Sequence, residues 1–253
     1  MNSISKGTLY LIPVNISDAP LESVIPMGNL SIVRQLKCLI VENVRTARRF
    51  LKRWDKSFDI DSITFHELNG HTDLTHVGEW LEPLRRGESV GIMSEAGCPA
   101  VADPGAVVVD KAQREGYKVV PLVGPSSILL SLMASGFNGQ GFAFNGYLPI
   151  EKGARVQAIR DLESESRRKN RTEIFIETPY RNNGMVSFLA ENLRPDTMLC
   201  VASDVTDPER ESIKSMPARL WKNCTENYDK RPAIFLIYCG AESKDGRSKR
   251  DAR

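Results

Sequence analysis

The sequence of residues 89–105 is SVGIMSEAGCPAVADPG, and the order of its elements indicates the fold class. Ser89–Ser94 is a short apolar run of the kind that forms a buried strand, and a helix is predicted to begin at Pro104. The loop between them consists mainly of small residues, which let a ligand approach the backbone, and its prolines fix its shape. Open α/β folds bind ligands at such strand ends. The stretch therefore predicts an α/β fold and a first candidate binding loop, although a plain tight connection fits the spacing equally well.

Short β-rich runs alternate with helical patterns on both sides of this loop. Strands are predicted at residues 7–14, 62–67, 89–94, 117–123, 141–148, 172–177, 198–204 and 232–239. Helices are predicted at 72–86, 104–115, 126–135, 153–169, 182–192 and 218–228. Residues 31–54 have apolar residues at helical spacing after a serine cap, and they fit either a helical stretch or a strand near 38–41 followed by a second helix. Such alternation is typical of mostly parallel, doubly wound sheets. A glycine- and asparagine-rich hinge near residue 138 predicts two α/β lobes, at residues 1–138 and 139–240, followed by a disordered basic tail at 241–253.

The composition is that of an ordinary globular protein. Lys and Arg total 34 and Asp and Glu total 32, a net charge of +2. A generic coat for nucleic acid needs a larger basic excess, so that class is excluded, whereas a local basic patch is not. The five cysteines form no C-x-x-C pair, which predicts reduced thiols rather than disulfides or a zinc site. No signal-like segment or long apolar run occurs, and we expect a soluble, cytoplasmic protein without membrane contact.

A second candidate loop follows the strand predicted at residues 117–123. Gly124-Pro125-Ser126-Ser127 joins this strand to a helix, and its N–H groups and hydroxyls suit a carboxylate or another anion. Alternatively, one of the two serines simply caps the helix. Neither loop matches the glycine patterns of dinucleotide or P-loop sites.

Two groups of polar residues outside the loops are further candidates for a function. His66, His71 and His76 recur every five residues, a spacing that does not share one helical face, so no metal site is expected. A basic cluster does share one face of a predicted helix, at i, i+3, i+4, i+7 and i+8: Arg45, Arg48, Arg49, Lys52 and Arg53. A solvated helix face and a phosphate-binding RNA contact both account for this cluster.

The two loops and the segment after them resemble the tetrapyrrole methylase superfamily of S-adenosylmethionine enzymes. The family pattern S-D-A-G-T-P-x-x-x-D-P-G is similar to Ser94–Gly105, P-G-P-S-A to Val123–Ser127, and F-x-F-x-G-F-L-P-x-K-G-x-R to Phe142–Arg155. Shorter matches occur at Gly7–Tyr10 and His66–Asn69, and at Glu177–Arg181. These motifs follow the family's order. The most similar branch methylates the 2'-hydroxyl of a cytidine in 16S rRNA.

The resemblance implies a homodimer with S-adenosylmethionine in the cleft between two α/β lobes and no metal. Its cofactor-binding residues in the first lobe would be Ser94, Glu95, Ala96, Gly97, Val101, Ala102, Gly124, Pro125, Ser126 and Ser127. Those of the second lobe would be Leu148, Glu177, Ala202, Pro232 and Ala233. Glu42 and Glu177 are the candidates for a proton acceptor, although each also fits a structural or solvated carboxylate. The RNA of the small ribosomal subunit would contact the basic cluster, His66 and Arg181.

The sequence departs from the family pattern in three places. Val14–Asp18 replaces the glycine-bearing P-I-G-N, Asn43 replaces the aspartate of E-D-T-R, and Asp207 replaces the lysine of E-L-T-K. These departures keep two alternatives open beside the ribosomal RNA methyltransferase. One is a methylase of a tetrapyrrole or another small molecule, and the other is a non-catalytic paralogue that binds cofactor or RNA.

Overall fold

The computed structural model describes residues 6–240, so the tail predicted at residues 241–253 lies outside the described residues. The chain divides into two compact units, Met1–Ser126 and Ser127–Arg253. This division falls earlier than the predicted boundary at residue 138, because the helix Ser127–Ser135 packs on strands of the second unit. One contact that fixes this helix is the hydrogen bond from Ser215 Oγ to Ser135 O, at 2.8 Å.

The first unit is built on a five-stranded sheet in the order β3-β2-β4-β1-β5, and every neighbouring pair of strands is parallel. The strands are β1 (Thr8–Ile12), β2 (Cys38–Val41), β3 (Thr64–Glu67), β4 (Val90–Met93) and β5 (Lys118–Pro121). The interior strands β2 and β4 are buried along their whole length, as expected for a parallel sheet covered on both faces. Alternate strand residues therefore enter separate cores: Leu39 and Met93 pack on one face, and Ile40 and Ile92 on the other.

Short helices cover both faces of this sheet. They are α1 (Leu21–Val24), α2 (Gly28–Val33), α3 (Val44–Trp54), α4 (Val77–Trp80), α5 (Glu82–Arg85) and α6 (Ala106–Arg114), with 3₁₀ turns at Ile60–Ser62 and Leu74–His76. The single helix predicted at residues 72–86 is wrong, because the segment breaks into a 3₁₀ turn, α4 and α5. Pro83 near the start of α5 explains one break, since a proline cannot donate the backbone hydrogen bond that would continue α4.

The second unit has a mixed sheet in the order β6-β7-β10-β8-β9. The strands are β6 (Phe142–Tyr147), β7 (Thr172–Ile176), β8 (Met198–Ser203), β9 (Ser212–Pro217) and β10 (Ala233–Tyr238). Only β6 and β7 are parallel, whereas β10 runs antiparallel to β7 and β8, and β9 runs antiparallel to β8. The predicted mostly parallel sheet is therefore wrong for this unit. The sequence patterns also missed β9, whose Lys214 and Ser215 are exposed and interrupt any apolar alternation.

The helices of the second unit are α7 (Ser127–Ser135), α8 (Lys152–Lys169), α9 (Asn182–Asn192) and α10 (Ala218–Trp221), with a 3₁₀ turn at Pro179–Arg181. The Glu151 carboxylate caps α8 by accepting hydrogen bonds from Gly153 N and Ala154 N. In the core, the rings of Phe175 and Phe235 stack with centroids 5.6 Å apart. Among residues 6–240, no helix combines the length and the apolar composition that crossing a bilayer requires.

Candidate active site

The first candidate loop and Glu42 lie at the carboxyl edge of the parallel sheet. Met93 at the end of β4 is in register with Val41 of β2 and Ile12 of β1. The residues that follow these strand ends therefore emerge side by side, and Glu95 N donates a hydrogen bond to Glu42 Oε2 at 3.3 Å. This is the edge at which open α/β sheets bind ligands.

The loop at residues 94–105 is held in an unusual backbone conformation. Gly97, Ala100 and Ala102 all have left-handed φ angles, of 70°, 66° and 54°. Such angles are strained for alanine, by about 1–2 kcal/mol per residue. The Asp103 carboxylate stabilises the turn, because its Oδ1 accepts hydrogen bonds from Ala100 N at 2.9 Å and Gly105 N at 2.7 Å. Keeping this loop in one conformation therefore lowers the free energy of unfolding, and such strain is typical of ligand-binding segments.

The loop presents hydrogen-bond donors that the fold leaves free. Ala96 and Ala102 are exposed, and their backbone N–H groups donate to no acceptor within residues 6–240. Ser94, in contrast, is buried, and its hydroxyl donates to Ala96 O at 3.1 Å. The free N–H groups and the exposed Glu95 carboxylate suit a ligand that carries both acceptor oxygens and a positive charge. The methionine part of S-adenosylmethionine has these groups, so the loop fits that cofactor.

The second loop contacts both the first loop and Pro13, the residue after β1. Cys98 Sγ lies 3.4 Å from Pro125 O, to which it donates a hydrogen bond. A Cβ atom on Gly124 would lie 2.2 Å from Pro13 Cβ, so only glycine allows this close approach. The predicted set at residues 94–97 and 124–126 is therefore assembled within one unit. Ser127, the last residue of that set, begins α7 in the second unit.

The loop after β1, a departure from the family pattern, is tied to the same place. Val14 and Gly97 form an isolated antiparallel bridge, with N–O distances of 2.9 and 3.0 Å in the two directions. The Asn15 amide turns back to donate to Ser17 O. The loop has therefore lost the family's glycine while its backbone still contacts the candidate cofactor loop.

Glu42 is the better placed of the two candidate proton acceptors. Burial raises its pKa, the hydrogen bond from Glu95 N opposes that rise, and the negative charges of Asp103 and Glu95 add to it. A carboxylate with a raised pKa takes up a proton more readily than an ordinary glutamate, as a general base requires.

Asn43 caps the helix that follows Glu42. Its Oδ1 accepts hydrogen bonds from Arg45 N at 2.9 Å and Thr46 N at 3.2 Å at the start of α3. Asparagine and aspartate are about equally good at this position. The exchange of the family's aspartate for Asn43 therefore keeps the local structure.

The structure divides the basic cluster into two groups. Lys52 Nζ donates to Phe58 O at 2.8 Å, and Arg53 Nη2 donates to Asp18 O and Ala19 O at 2.9 and 2.8 Å. These two cations hold neighbouring loops. Arg48 forms an exposed ion pair with Asp61 at 2.7 Å. Arg45 and Arg49 are also exposed, and their side chains form no hydrogen bond or ion pair in the described part of the chain.

His66, predicted to contact RNA, stacks on Trp80 instead of extending into solvent. The two ring centroids are 5.3 Å apart with 17° between the planes. Burial lowers the pKa of His66, which favours the neutral ring. Within residues 6–240, no group of three or more His, Cys, Asp or Glu residues is arranged to hold a metal ion.

The predicted residues of the second lobe meet at one edge of the mixed sheet. Tyr147 of β6 and Ile234 of β10 are both in register with Ile176 of β7, and Ile234 is also in register with Ala202 of β8. This row brings together the ends of four strands. The predicted residues lie in these strand ends or directly beside them: Leu148, Glu177, Ala202, Pro232 and Ala233.

Glu177 at this edge is locked in an ion pair that the sequence did not indicate. The residue is buried, and its Oε1 accepts hydrogen bonds from Arg181 Nη2 at 2.6 Å and Arg181 Nε at 3.0 Å. Thr178 N donates to the same oxygen at 2.6 Å. With three hydrogen bonds and the guanidinium of Arg181 on Oε1, this oxygen is occupied by the protein itself and is not open to a substrate hydroxyl. Glu177 is thus the poorer candidate for a base, and Arg181 is engaged rather than free for RNA.

Another buried carboxylate at this edge, Asp204, is not among the predicted site residues. It follows β8 with a φ of 47°, and Arg231 Nε donates to its Oδ2 at 2.5 Å. Arg210 Nη2 lies 3.5 Å from the same oxygen. Asp207 in turn caps the turn that carries Arg210, by accepting from Arg210 N at 3.0 Å. A cation is therefore present here although the family's lysine is replaced by Asp207. The sequence signal for this ion-pair cluster is the mixture of acidic and basic residues at 204–211.

Comparison with known proteins gives consistent sequence and structural relatives. No family model matches the chain. The ribosomal RNA small subunit methyltransferase I of Vibrio cholerae is 29% identical over 91% of this chain and 76% of that protein. The protein of the same name from Neisseria meningitidis serogroup B is 30% identical over 81% of this chain and 66% of that protein.

Solved structures share the fold at low sequence identity. The methyltransferase CobJ is 16% identical, with a TM-score of 0.59 over 92% of this chain and 94% of that one. The uroporphyrin-III C-methyltransferase of Thermus thermophilus, complexed with S-adenosylhomocysteine, is 15% identical. Its TM-score is 0.54, over 92% of this chain and 97% of that one.

Proposed function

We propose that this chain, a member of the tetrapyrrole methylase superfamily of methyltransferases, transfers a methyl group from S-adenosylmethionine to the 2'-hydroxyl of a cytidine in 16S rRNA. The observation that carries this proposal is the strained loop at residues 94–105, with free N–H donors beside a carboxylate of raised pKa. The names of the sequence relatives support ribosomal RNA as the acceptor.

The chain's own groups would bind and orient the cofactor. The N–H groups of Ala96 and Ala102 would donate to its acceptor atoms, and the Glu95 carboxylate would face its positively charged end. Gly124 would support the loop from below through its close packing on Pro13. Once bound, S-adenosylmethionine supplies a methyl group on a positively charged sulfur, which is open to in-line displacement, so alignment supplies much of the rate.

Glu42 would act as the proton acceptor for the ribose hydroxyl. Its Oε2 is held by Glu95 N, so the carboxylate is fixed beside the loop that binds the cofactor. Its raised pKa improves the match to a weakly acidic hydroxyl, and general bases of this kind contribute about 100- to 10,000-fold to a rate. A water molecule between Glu42 and the hydroxyl would serve the same purpose.

Methyl incorporation tests the acceptor. The chain is incubated with radiolabelled S-adenosylmethionine and small ribosomal subunits from a strain that lacks the protein, and in parallel with uroporphyrinogen. We expect label in one cytidine of 16S rRNA, in a form that resists alkaline hydrolysis because the 2'-oxygen is blocked. Label in the tetrapyrrole alone would overturn the acceptor, and cofactor binding without transfer to either would favour the non-catalytic alternative.

A ribosomal acceptor also implies a cytoplasmic location. The homodimer stays a prediction, which gel filtration can test.

A further inference from the structure

A groove of about 1050 Å³ runs beside α3 in the first unit, and we propose that it binds the sugar-phosphate backbone of the RNA. We call it the α3 groove; its lining includes Arg45, Arg48, Arg49, Asp59, Asp61 and Glu67. This inference rests on the proposed function, and it names where the RNA is held outside the methyl-transfer site. Phosphates would be bound by the guanidinium groups of Arg45, Arg48 and Arg49.

Arg45 and Arg49 are chemically and sterically available for this task. They lie one helical turn apart, so their side chains are neighbours on the surface of α3. Neither side chain has a protein partner within residues 6–240. A guanidinium forms paired, charge-assisted hydrogen bonds with phosphate oxygens, which suits backbone binding without sequence reading.

The position of Arg45 opposes the stability of α3. A cation in the first turn of a helix meets the positive end of the helix dipole, and this turn has no acidic residue to offset it. The N–H groups of the turn are already satisfied, by Asn43 Oδ1 and by Glu67 Oε2. An anion at this place would therefore be bound by the arginine side chains and not by the helix end. The Arg45 side chain thus makes no hydrogen bond or ion pair within residues 6–240, and its guanidinium is available to an external anion.

The acidic residues of the α3 groove leave the arginines able to bind. Glu67 is engaged with Val44 N and the Asn69 amide. Asp61 pairs with Arg48, but its side chain is 89% exposed, and exposed ion pairs contribute little to stability. A phosphate can replace Asp61 as the partner of Arg48, whose guanidinium also lies 5.9 Å from the centre of the Phe65 ring.

A matched pair of double variants tests the α3 groove. R45A/R49A removes the two free cations, whereas R114A/K118A removes two exposed cations elsewhere on the same unit. Binding of a 16S rRNA transcript is measured by fluorescence anisotropy over a range of salt concentrations. For R45A/R49A we expect at least a tenfold loss of affinity and a salt dependence shallower by about 1.5 in log–log slope. For R114A/K118A we expect less than a twofold change.

Two further measurements distinguish a failure of the α3 groove proposal from a failure of the proposed function. Calorimetry with S-adenosylmethionine should give the same affinity for R45A/R49A as for the wild type, and thermal melting should show that both variants are folded. If R45A/R49A binds and methylates the rRNA as the wild type does, the α3 groove proposal is refuted while the proposed function stands. If the wild type binds the cofactor but neither the 16S rRNA transcript nor small ribosomal subunits, both proposals fail. Binding of an acidic polypeptide such as polyglutamate, lost in R45A/R49A while rRNA binding persists, would assign the groove to a protein partner instead.

Discussion

Replacing Gly124 by alanine should damage both the stability of the first unit and the binding of the cofactor. The added Cβ would lie 2.2 Å from Pro13 Cβ and 2.4 Å from Pro13 Cγ. Carbon atoms in contact prefer about 3.5–4.0 Å, so the two segments must separate by roughly 1.5 Å. Pro13 cannot turn away as a flexible side chain would, since its ring is part of the backbone. The strain therefore falls on the two loops.

The magnitude follows from overpacking. Forcing an extra methyl into a filled space costs about 1–3 kcal/mol, which lowers the melting temperature by roughly 3–9 °C in a chain of this size. Separation of the segments also stretches the 3.4 Å hydrogen bond from Cys98 Sγ to Pro125 O, which ties the second loop to the first. We expect at least a tenfold weaker affinity for S-adenosylmethionine, measured by isothermal titration calorimetry.

Gly184→Ala is the matched control. A Cβ on Gly184 meets no heavy atom within 4 Å, and the residue lies inside α9, where alanine is preferred to glycine by about 0.5–1 kcal/mol. This variant should melt slightly higher than the wild type and bind the cofactor normally. If Gly124→Ala matched the wild type in melting temperature and cofactor affinity, the role assigned to the close approach of Pro13 would be wrong.

Three further changes give separate tests. Glu42→Gln should lower kcat by about 100-fold or more without changing cofactor affinity. In the wild type the rate should rise as the pH rises through the raised pKa of Glu42. If the Glu42→Gln variant keeps this pH profile, Glu42 is not the base. Asn43→Ala should cost about 1 kcal/mol of unfolding free energy and Asn43→Asp close to none, measured by urea denaturation, and equal losses in both would contradict the capping role. Arg231→Ala should destabilise the second unit by about 1–3 kcal/mol, because buried Asp204 then keeps only the longer ion pair with Arg210 and half-buried Glu226 keeps only Lys214. A loss below 1 kcal/mol in a melting experiment would refute that estimate.

Much of the first unit could be predicted from local sequence, and less of the second. Each strand of the parallel sheet is a short buried run followed by a loop of recognisable residues, so Ser94–Gly105 could be placed at a strand end in advance. Strand direction is not encoded in such runs. The pattern of β10 is equally apolar whether it runs parallel or antiparallel, so only the pairing Phe235 with Phe175 reveals the mixed sheet.

The candidate site shows the same limit. The sequence placed Glu42 and Glu177 in one class of candidate, but their different roles depend on distant partners. Glu177 is neutralised by Arg181, while Glu42 faces Glu95 and has no cation among its hydrogen-bond partners in the described chain. The division of the basic cluster is likewise invisible in spacing, because the acceptors of Arg53 are carbonyl groups of a loop far away in sequence.

The loop after β1 has a thermodynamic consequence. Its first residue, Val14, is bridged to Gly97 of the cofactor loop, and its far end accepts hydrogen bonds from Arg53 of α3. Residues 14–19 therefore connect the proposed RNA-binding helix α3 to the proposed cofactor loop, through hydrogen bonds at both ends of the segment. If RNA displaces α3, the affinity for S-adenosylmethionine must change, and the cofactor must then change the affinity for RNA by the same factor. The factor is the ratio of one ligand's dissociation constants without and with the other ligand, and it does not depend on the order of addition. Titrating S-adenosylmethionine with and without RNA, and RNA with and without S-adenosylmethionine, gives two independent measurements of it.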